Sequence, residues 1–258
     1  MLALTDPIRL KHPIVLVHGL GATREYGPVD YFYGLRERLA KAGNSVYQAK
    51  LTPFQSIEHR AGQLKAQIER TIPDEKINLI CHSMGGLDGR YLISQLGFAD
   101  RVASITTVGT THRGSRLADY ALSRSGPGTM RVANWLLSFL GASLEGIRQV
   151  STEYCQRTFY RLAPNAPGVG YFSATSTIES TVPWKALPCF FLPYRILARI
   201  EGDNDGLVSE ESAKWGEHIC TYRGDHYAQI GQLLGHSRGL DYIKFYDQIL
   251  KRLKREGM

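Results

Sequence analysis

Short unbroken apolar runs alternate along this chain with longer stretches in which apolar residues recur every three or four positions. The run Ile14-Val15-Leu16-Val17, bounded by Pro13 and Gly19, reads as a buried strand. So do Ile77-Asn78-Leu79-Ile80-Cys81-His82 and Val102-Ala103-Ser104-Ile105-Thr106-Thr107-Val108. Between them, Tyr31 to Ala42 and Ser56 to Thr71 carry helical spacing, with a short strand expected at Val46 to Ala49. Leu87, Tyr91, Leu92, Gln95 and Leu96 continue the alternation as a helix that stops at Gly97. Further strands are expected at Val169 to Ala174, Arg195 to Glu201 and Glu217 to Tyr222. Strands separated by helices predict an α/β fold built on a mostly parallel, doubly wound sheet with helices on both faces.

One stretch interrupts this order. From about 115 to 167 the pattern is mostly helical, broken at Gly126-Pro127-Gly128 and closed by Pro164 and Pro167. Within it Val132, Trp135, Leu136, Phe139, Leu140 and Leu144 form one apolar stripe at helical spacing.

The chain has 258 residues, 43% of them hydrophobic, enough for one α/β domain over 1–258 with the helical segment as an insertion. A formal charge of +7 favours anionic surfaces. No basic block interleaved with aromatics marks a nucleic-acid site, so nucleic acid is not an expected partner. Cys81, Cys155, Cys189 and Cys220 are widely spaced and include no C-x-x-C pair, which argues against zinc and thioredoxin-type chemistry. Met1 to Pro7 lacks a secretory pattern, giving the expectation of a cytoplasmic, reduced setting or export without a signal. The longest uncharged apolar segment, Val132 to Leu144, is too short to span a bilayer.

Chemistry enters at the end of the central strand. Ser83 stands in Cys81-His82-Ser83-Met84-Gly85, between a β run and a helix, the context of a nucleophile elbow. Such a turn strains the serine backbone and needs small neighbours, and Cys81 occupies a position where glycine is usual. Past the first strand, His18-Gly19-Leu20-Gly21 places the Leu20 N–H where it can donate to a developing oxyanion. Downstream, the polar loop Gly202-Asp203-Asn204-Asp205-Gly206 offers two carboxylates, and His226 follows in Arg223-Gly224-Asp225-His226-Tyr227. Ser83, then Asp203 or Asp205, then His226 is the chain order of an α/β-hydrolase triad.

Taken together, Pro13 to Leu20, Asn78 to Leu87, Thr110-Thr111-His112-Arg113-Gly114-Ser115 and Asn204-Asp205-Gly206-Leu207-Val208 resemble the bacterial triacylglycerol lipases of the Pseudomonas, Burkholderia and Proteus group. Tyr31-Phe32-Tyr33-Gly34 is similar to the Proteus type in particular. The resemblance implies an α/β-hydrolase fold with Ser83 as nucleophile, Asp205 as acid and His226 as base. It also implies the amides of Leu20 and Met84 as oxyanion donors. The insertion then corresponds to a helical lid, with Trp135 and Phe139 of its stripe meeting substrate or a lipid interface. The family's structural calcium site is expected to be lost: Ala228 stands where an aspartate follows the histidine, Gln232 is neutral, and Glu179 is a weak substitute upstream. No cofactor is expected.

The reading is a serine carboxylic-ester hydrolase acting on acyl lipids through an acyl-enzyme. A short-chain carboxylesterase or an acyltransferase would use the same triad. A non-catalytic lipid-binding protein would be expected to lose triad members, and all three stand in this sequence.

Overall fold

The structure is a computed structural model, described for residues 7–20, 30–53, 55–123, 144–181, 188–232 and 240–258. Six parallel strands, β1 Ile14–Val17, β2 Val46–Gln48, β3 Ile77–His82, β4 Val102–Val108, β5 Gly170–Thr177 and β6 Glu217–Arg223, form one sheet in the order β2-β1-β3-β4-β5-β6. The order reverses at β1, so the chain winds outward first to one side and then to the other. Side-chain alternation sorts the central strands onto two faces. Ile14, Leu16 and Ile80 pack with α1 (Leu35–Lys41) and with α8, the helix Tyr242–Arg255 near the C-terminus. Val15, Val17, Leu79 and Cys81 pack with α2 (Ile57–Thr71) and α3 (Gly85–Gln95). In α8, Tyr242, Phe245, Tyr246, Ile249, Leu250 and Leu253 are buried at three- and four-residue spacing, and the Asp241 side chain caps its N-terminus.

Two expectations need correction. Arg195 to Glu201 is not a strand: α7 runs Phe191–Ile200, and β6 occupies the sheet position beside β5. In the helix, Pro193, Tyr194 and Leu197 fall on one buried side. Pro193 sits in the first turn, where no intrahelical acceptor needs its missing N–H. The helix expected from Tyr31 begins only at Leu35, because Gly34 takes a left-handed φ of 64° and leaves Tyr31 in a loop facing the sheet's C-terminal end. The insertion is helical where described: α4 Arg116–Leu122, α5 Leu144–Gln149, and a π-helical turn Tyr154–Phe159 running into α6 Tyr160–Leu162. The stripe from Val132 to Leu140, with Trp135 and Phe139, lies outside the described residues.

Beneath the loop that follows β1 lies a buried ion pair. Arg60 of α2 donates from Nε to Asp88 Oδ2 of α3 at 2.8 Å, from Nη2 to the His18 carbonyl at 2.7 Å and from Nη1 to the Thr52 carbonyl at 3.0 Å. Both side chains are fully buried, so the guanidinium joins two helices to the turn at Gly19. Burial pushes the Asp88 carboxyl up to about 6, with Arg60 opposing the shift. Nearby imidazoles respond the other way. His18 is lowered to about 4, mostly by burial and then by Arg60. Burial is also the first cause that holds His82 and His112 well below the usual histidine value.

Replacing Asp88 by Ala leaves Arg60 buried without its countercharge. At pH 7.5 this should lower the unfolding free energy by roughly 3–5 kcal/mol. Urea titration measures it, and a loss below about 1 kcal/mol would contradict the structural role.

The three imidazoles set an acid limit. Their folded values lie below an unfolded value of about 6.5, so their contribution is full above that pH and is lost as pH falls. Asp88, raised on folding, opposes one of the three protons taken up. The imidazoles outnumber it, so stability should fall as pH drops from about 6.5 through the folded His18 value of about 4. Denaturant melts across this window check it, and a flat profile would count against neutral buried histidines.

Candidate active site

Ser83 lies between β3 and α3 with φ 57°, and among the described residues it is the non-glycine residue with positive φ. That conformation costs an L-residue roughly 1–2 kcal/mol, and the surroundings hold it. Its N–H donates to Val108 at 2.9 Å, and its carbonyl accepts from Thr110 Oγ1 at 2.7 Å and from Gly86 N at 3.0 Å. Neighbouring glycines supply the space. A Cβ on Gly19 would come within 2.6 Å of Ser83 Cβ, and one on Gly85 within 2.7 Å of the Val17 carbonyl oxygen. Cys81, where a glycine is usual in such turns, fits because Gly89 on α3 has no side chain: a Cβ there would lie 3.1 Å from Cys81 Sγ.

Two backbone donors flank the serine. The Met84 N–H opens α3, where the helix dipole favours negative charge, and Leu20 stands in the turn after β1. Neither amide donates to an acceptor among the described residues. The preceding amide, Gly19, is taken up by the Tyr31 hydroxyl at 3.1 Å.

Across the cleft, His226 Nδ1 meets Asp205 Oδ2 at 2.7 Å, both side chains nearly wholly buried. A carboxylate only accepts, so Nδ1 carries the proton and Nε2 is left as the basic nitrogen. Four donors converge on Asp205: Leu207 N and Val208 N reach Oδ1 at 2.9 and 2.8 Å, while His226 and Gln229 Nε2, the latter at 2.9 Å, reach Oδ2. The backbone closes the same contact, since His226 N donates to the Asp205 carbonyl at 2.8 Å. Asp203 is exposed and makes no contact with the imidazole, although its carbonyl accepts from Glu210 N at 2.8 Å. The loop hangs on the end of β5 through Ile178 N to the Asn204 carbonyl at 2.8 Å.

Ser83 and His226 open onto one cavity of about 70 Å³ whose walls include Leu20, Leu117, Ala118, Ile147 and Leu207. No hydrogen bond joins Ser83 Oγ to the His226 ring, and catalytic contacts of this kind commonly tighten only with substrate bound.

Several residues escaped the sequence reading. His82 places its ring 4.5 Å from that of His226, accepts at Nδ1 from the Tyr31 hydroxyl at 2.8 Å, and points Nε2 at the His226 carbonyl (3.2 Å) and Gln229 Oε1 (3.1 Å). A continuous polar chain thus runs from Gly19 through Tyr31, His82 and Gln229 to Asp205. Burial keeps His82 neutral, as its roles of acceptor and donor require. The adjacency of His82 to Ser83, and Gln229 three positions after His226, were the available signals.

Among the described residues, Ala228, Gln232 and Glu179 are apolar, neutral or already hydrogen-bonded. Ala228 is buried in a 3₁₀ turn, Gln232 Nε2 donates to the Asp30 carbonyl at 2.7 Å, and Glu179 is exposed and accepts from Thr181. The neighbouring Asp225 Oδ1 accepts from Tyr227 N at 3.0 Å and Ala228 N at 2.9 Å. Among the described residues, no group of three or more His, Cys, Asp or Glu is placed to hold a metal.

No protein-family model matches the chain. It is 32% identical over 254 residues to triacylglycerol lipase 2 of Saccharomyces cerevisiae, covering 89% of this chain and 74% of that one. To a triacylglycerol lipase of Vibrio cholerae it is 32% identical over 287 residues, covering 96% and 89%. The mature form of the Bacillus licheniformis lipase BlEst2 superposes with a TM-score of 0.72 at 25% identity, over 95% of this chain and 93% of that one. With the parallel sheet, the strained serine at its edge and these relatives, the chain belongs to the triacylglycerol lipase family and is a carboxylic ester hydrolase of the α/β-hydrolase fold.

Proposed function

We propose that the protein hydrolyses acyl-lipid esters through a Ser83, His226 and Asp205 triad and a covalent acyl-enzyme. The observation that carries this reading is the buried 2.7 Å contact between Asp205 and His226 Nδ1, which leaves Nε2 free on the cavity that also holds Ser83.

On this reading Ser83 Oγ attacks the ester carbonyl carbon as its proton passes to His226 Nε2. The carbonyl π pair moves onto oxygen, and the N–H groups of Leu20 and Met84 stabilise the resulting oxyanion. Collapse of the tetrahedral species breaks the bond to the alcohol oxygen, which leaves with the proton from His226. Water then repeats the sequence on the acyl-enzyme, His226 taking its proton and returning it to Ser83 as the acid departs. Asp205 holds the Nδ1–H tautomer throughout and offsets the imidazolium charge. The apolar wall of Leu117, Ala118, Ile147 and Leu207 suits an acyl chain. Trp135 and Phe139 belong to this proposal as lid residues that meet lipid. No helix among the described residues is long and apolar enough to cross a membrane.

Ser83→Ala should reduce ester turnover by roughly four orders of magnitude or more with an unchanged melting profile. Labelling by an alkyl phosphonate should disappear in the same variant. Retention of a tenth of the activity, by the order-of-magnitude logic of transition-state loss, would remove Ser83 as nucleophile.

We further propose that the enzyme works without bound calcium, given the neutral or occupied donors around Ala228. A chelator should leave both melting temperature and hydrolysis unchanged. A fall in either that added calcium restores would overturn this.

A further inference from the structure

Among the described residues, seven large hydrophobic side chains are exposed, and three of them lie on one ten-residue helix, α7. Leu192 and Ile200 are each 54% exposed and Phe191 is 44% exposed. Arg195 and Arg199 share the outward side with Phe191 and Leu192. Neither arginine has an acidic partner among the described residues, and Arg195 rests 5.6 Å from the Phe191 ring. The helix contains no Asp or Glu, and Glu201 just past its end is half-buried beside Arg116. Cations near a helix C-terminus favour the helix dipole, which accounts for Arg199. It does not account for apolar side chains left in water around it.

The buried side of the same helix carries the second half of the argument. Leu197 packs with Leu117, Ala118 and Ile147, which line the cavity beside Ser83. The outward face is therefore the far side of an element that supports the active-site wall.

We propose that the outer face of α7 is a docking surface for an anionic lipid membrane, with Phe191 and Leu192 entering the acyl boundary and Arg195 and Arg199 meeting phosphate headgroups. Interfacial helices combine these two side-chain classes for this purpose. Charge selects this occupant over the alternatives. A second copy of the chain would bring these arginines together on molecules that each carry +7. Nucleic acid would pair the arginines and leave Phe191 and Leu192 uncovered. The inference rests on the proposed action on acyl-lipid esters, and it adds which face meets the lipid and what charge that lipid carries.

The test separates binding from hydrolysis. The Ser83→Ala protein is sedimented with vesicles of phosphatidylcholine alone and with equimolar phosphatidylcholine and phosphatidylglycerol. Binding should favour the anionic vesicles and weaken with added salt. Adding Arg195→Gln and Arg199→Gln should lower affinity for anionic vesicles by about fivefold per arginine, roughly 25-fold together, with no change on phosphatidylcholine. Leu192→Ser should weaken binding to both. Equal binding to the two vesicle types would overturn the proposal, as would an equal loss on both in the arginine variant. A dimer at sedimentation equilibrium that Leu192→Ser dissolves would overturn it as well. In the protein that retains Ser83, the arginine variant should hydrolyse a soluble short-chain ester at the wild-type rate, and a loss there with unaltered vesicle binding would assign α7 to the site instead. Intact anionic-vesicle binding in a protein inactive on every ester would sink the hydrolytic reading of the site and leave the docking surface standing.

Discussion

The left-handed backbone at Ser83 is the constraint from which much of the site's packing follows. A φ of 57° aims the side chain away from the strand and into the cleft, and the turn closes only if the surrounding chain approaches without side chains. Gly19 and Gly85 allow the β1 turn to lie against the serine, and Gly86 fits against Thr110 and Thr107. The cysteine two residues before the serine moves the space requirement one layer deeper, to Gly89 of α3. Strain at one residue is thus distributed over four positions that each contribute by lacking a methyl group.

A second dependence is electrostatic. The turn at Gly19 is held from below by Arg60, whose charge is balanced by Asp88 in a site closed to water, and from above by the Tyr31 hydroxyl. Tyr31 in turn bonds His82, which connects with Gln229 and so with Asp205. The turn carrying the Leu20 amide and the carboxylate facing His226 are therefore ends of one hydrogen-bonded chain. Its middle member must stay neutral. A charged His82, 4.5 Å from the His226 ring, would oppose the imidazolium that the proposed reaction forms, and burial prevents that charge.

Outside the site, the same helix faces two environments for opposite reasons. Leu197 of α7 completes the wall behind the cavity, whereas Leu192, Phe191 and two arginines without acidic partners among the described residues remain in water. Packing explains the first side and says nothing of the second, which is why that face carries a docking inference.

What the sequence determined by itself was local in kind. Uninterrupted apolar runs dictated buried parallel strands, because a strand covered on both faces has no polar side to show. Small residues around Ser83 marked the turn, since no bulky residue fits there, and the order of serine, loop carboxylates and histidine was visible in the chain. The resemblance to lipases, read from those ordered motifs, agrees with the relatives and with the fold. Long-range geometry was hidden. Arg195-Ile196-Leu197-Ala198-Arg199-Ile200 suits either a strand or a helix by local pattern, and its helical state follows from β6 filling the place beside β5 and from a buried face that includes Tyr194 and Leu197. Asp203 and Asp205 are both reasonable turn residues, so the local pattern left them open and the resemblance alone favoured Asp205; the tertiary structure turns Asp205 inward to four donors while Asp203 faces solvent. Arg60, Asp88, Tyr31 and Gln229 are scattered along the chain and acquire their roles only when folding removes water from around them, because a buried charge or amide must find its partners inside the protein.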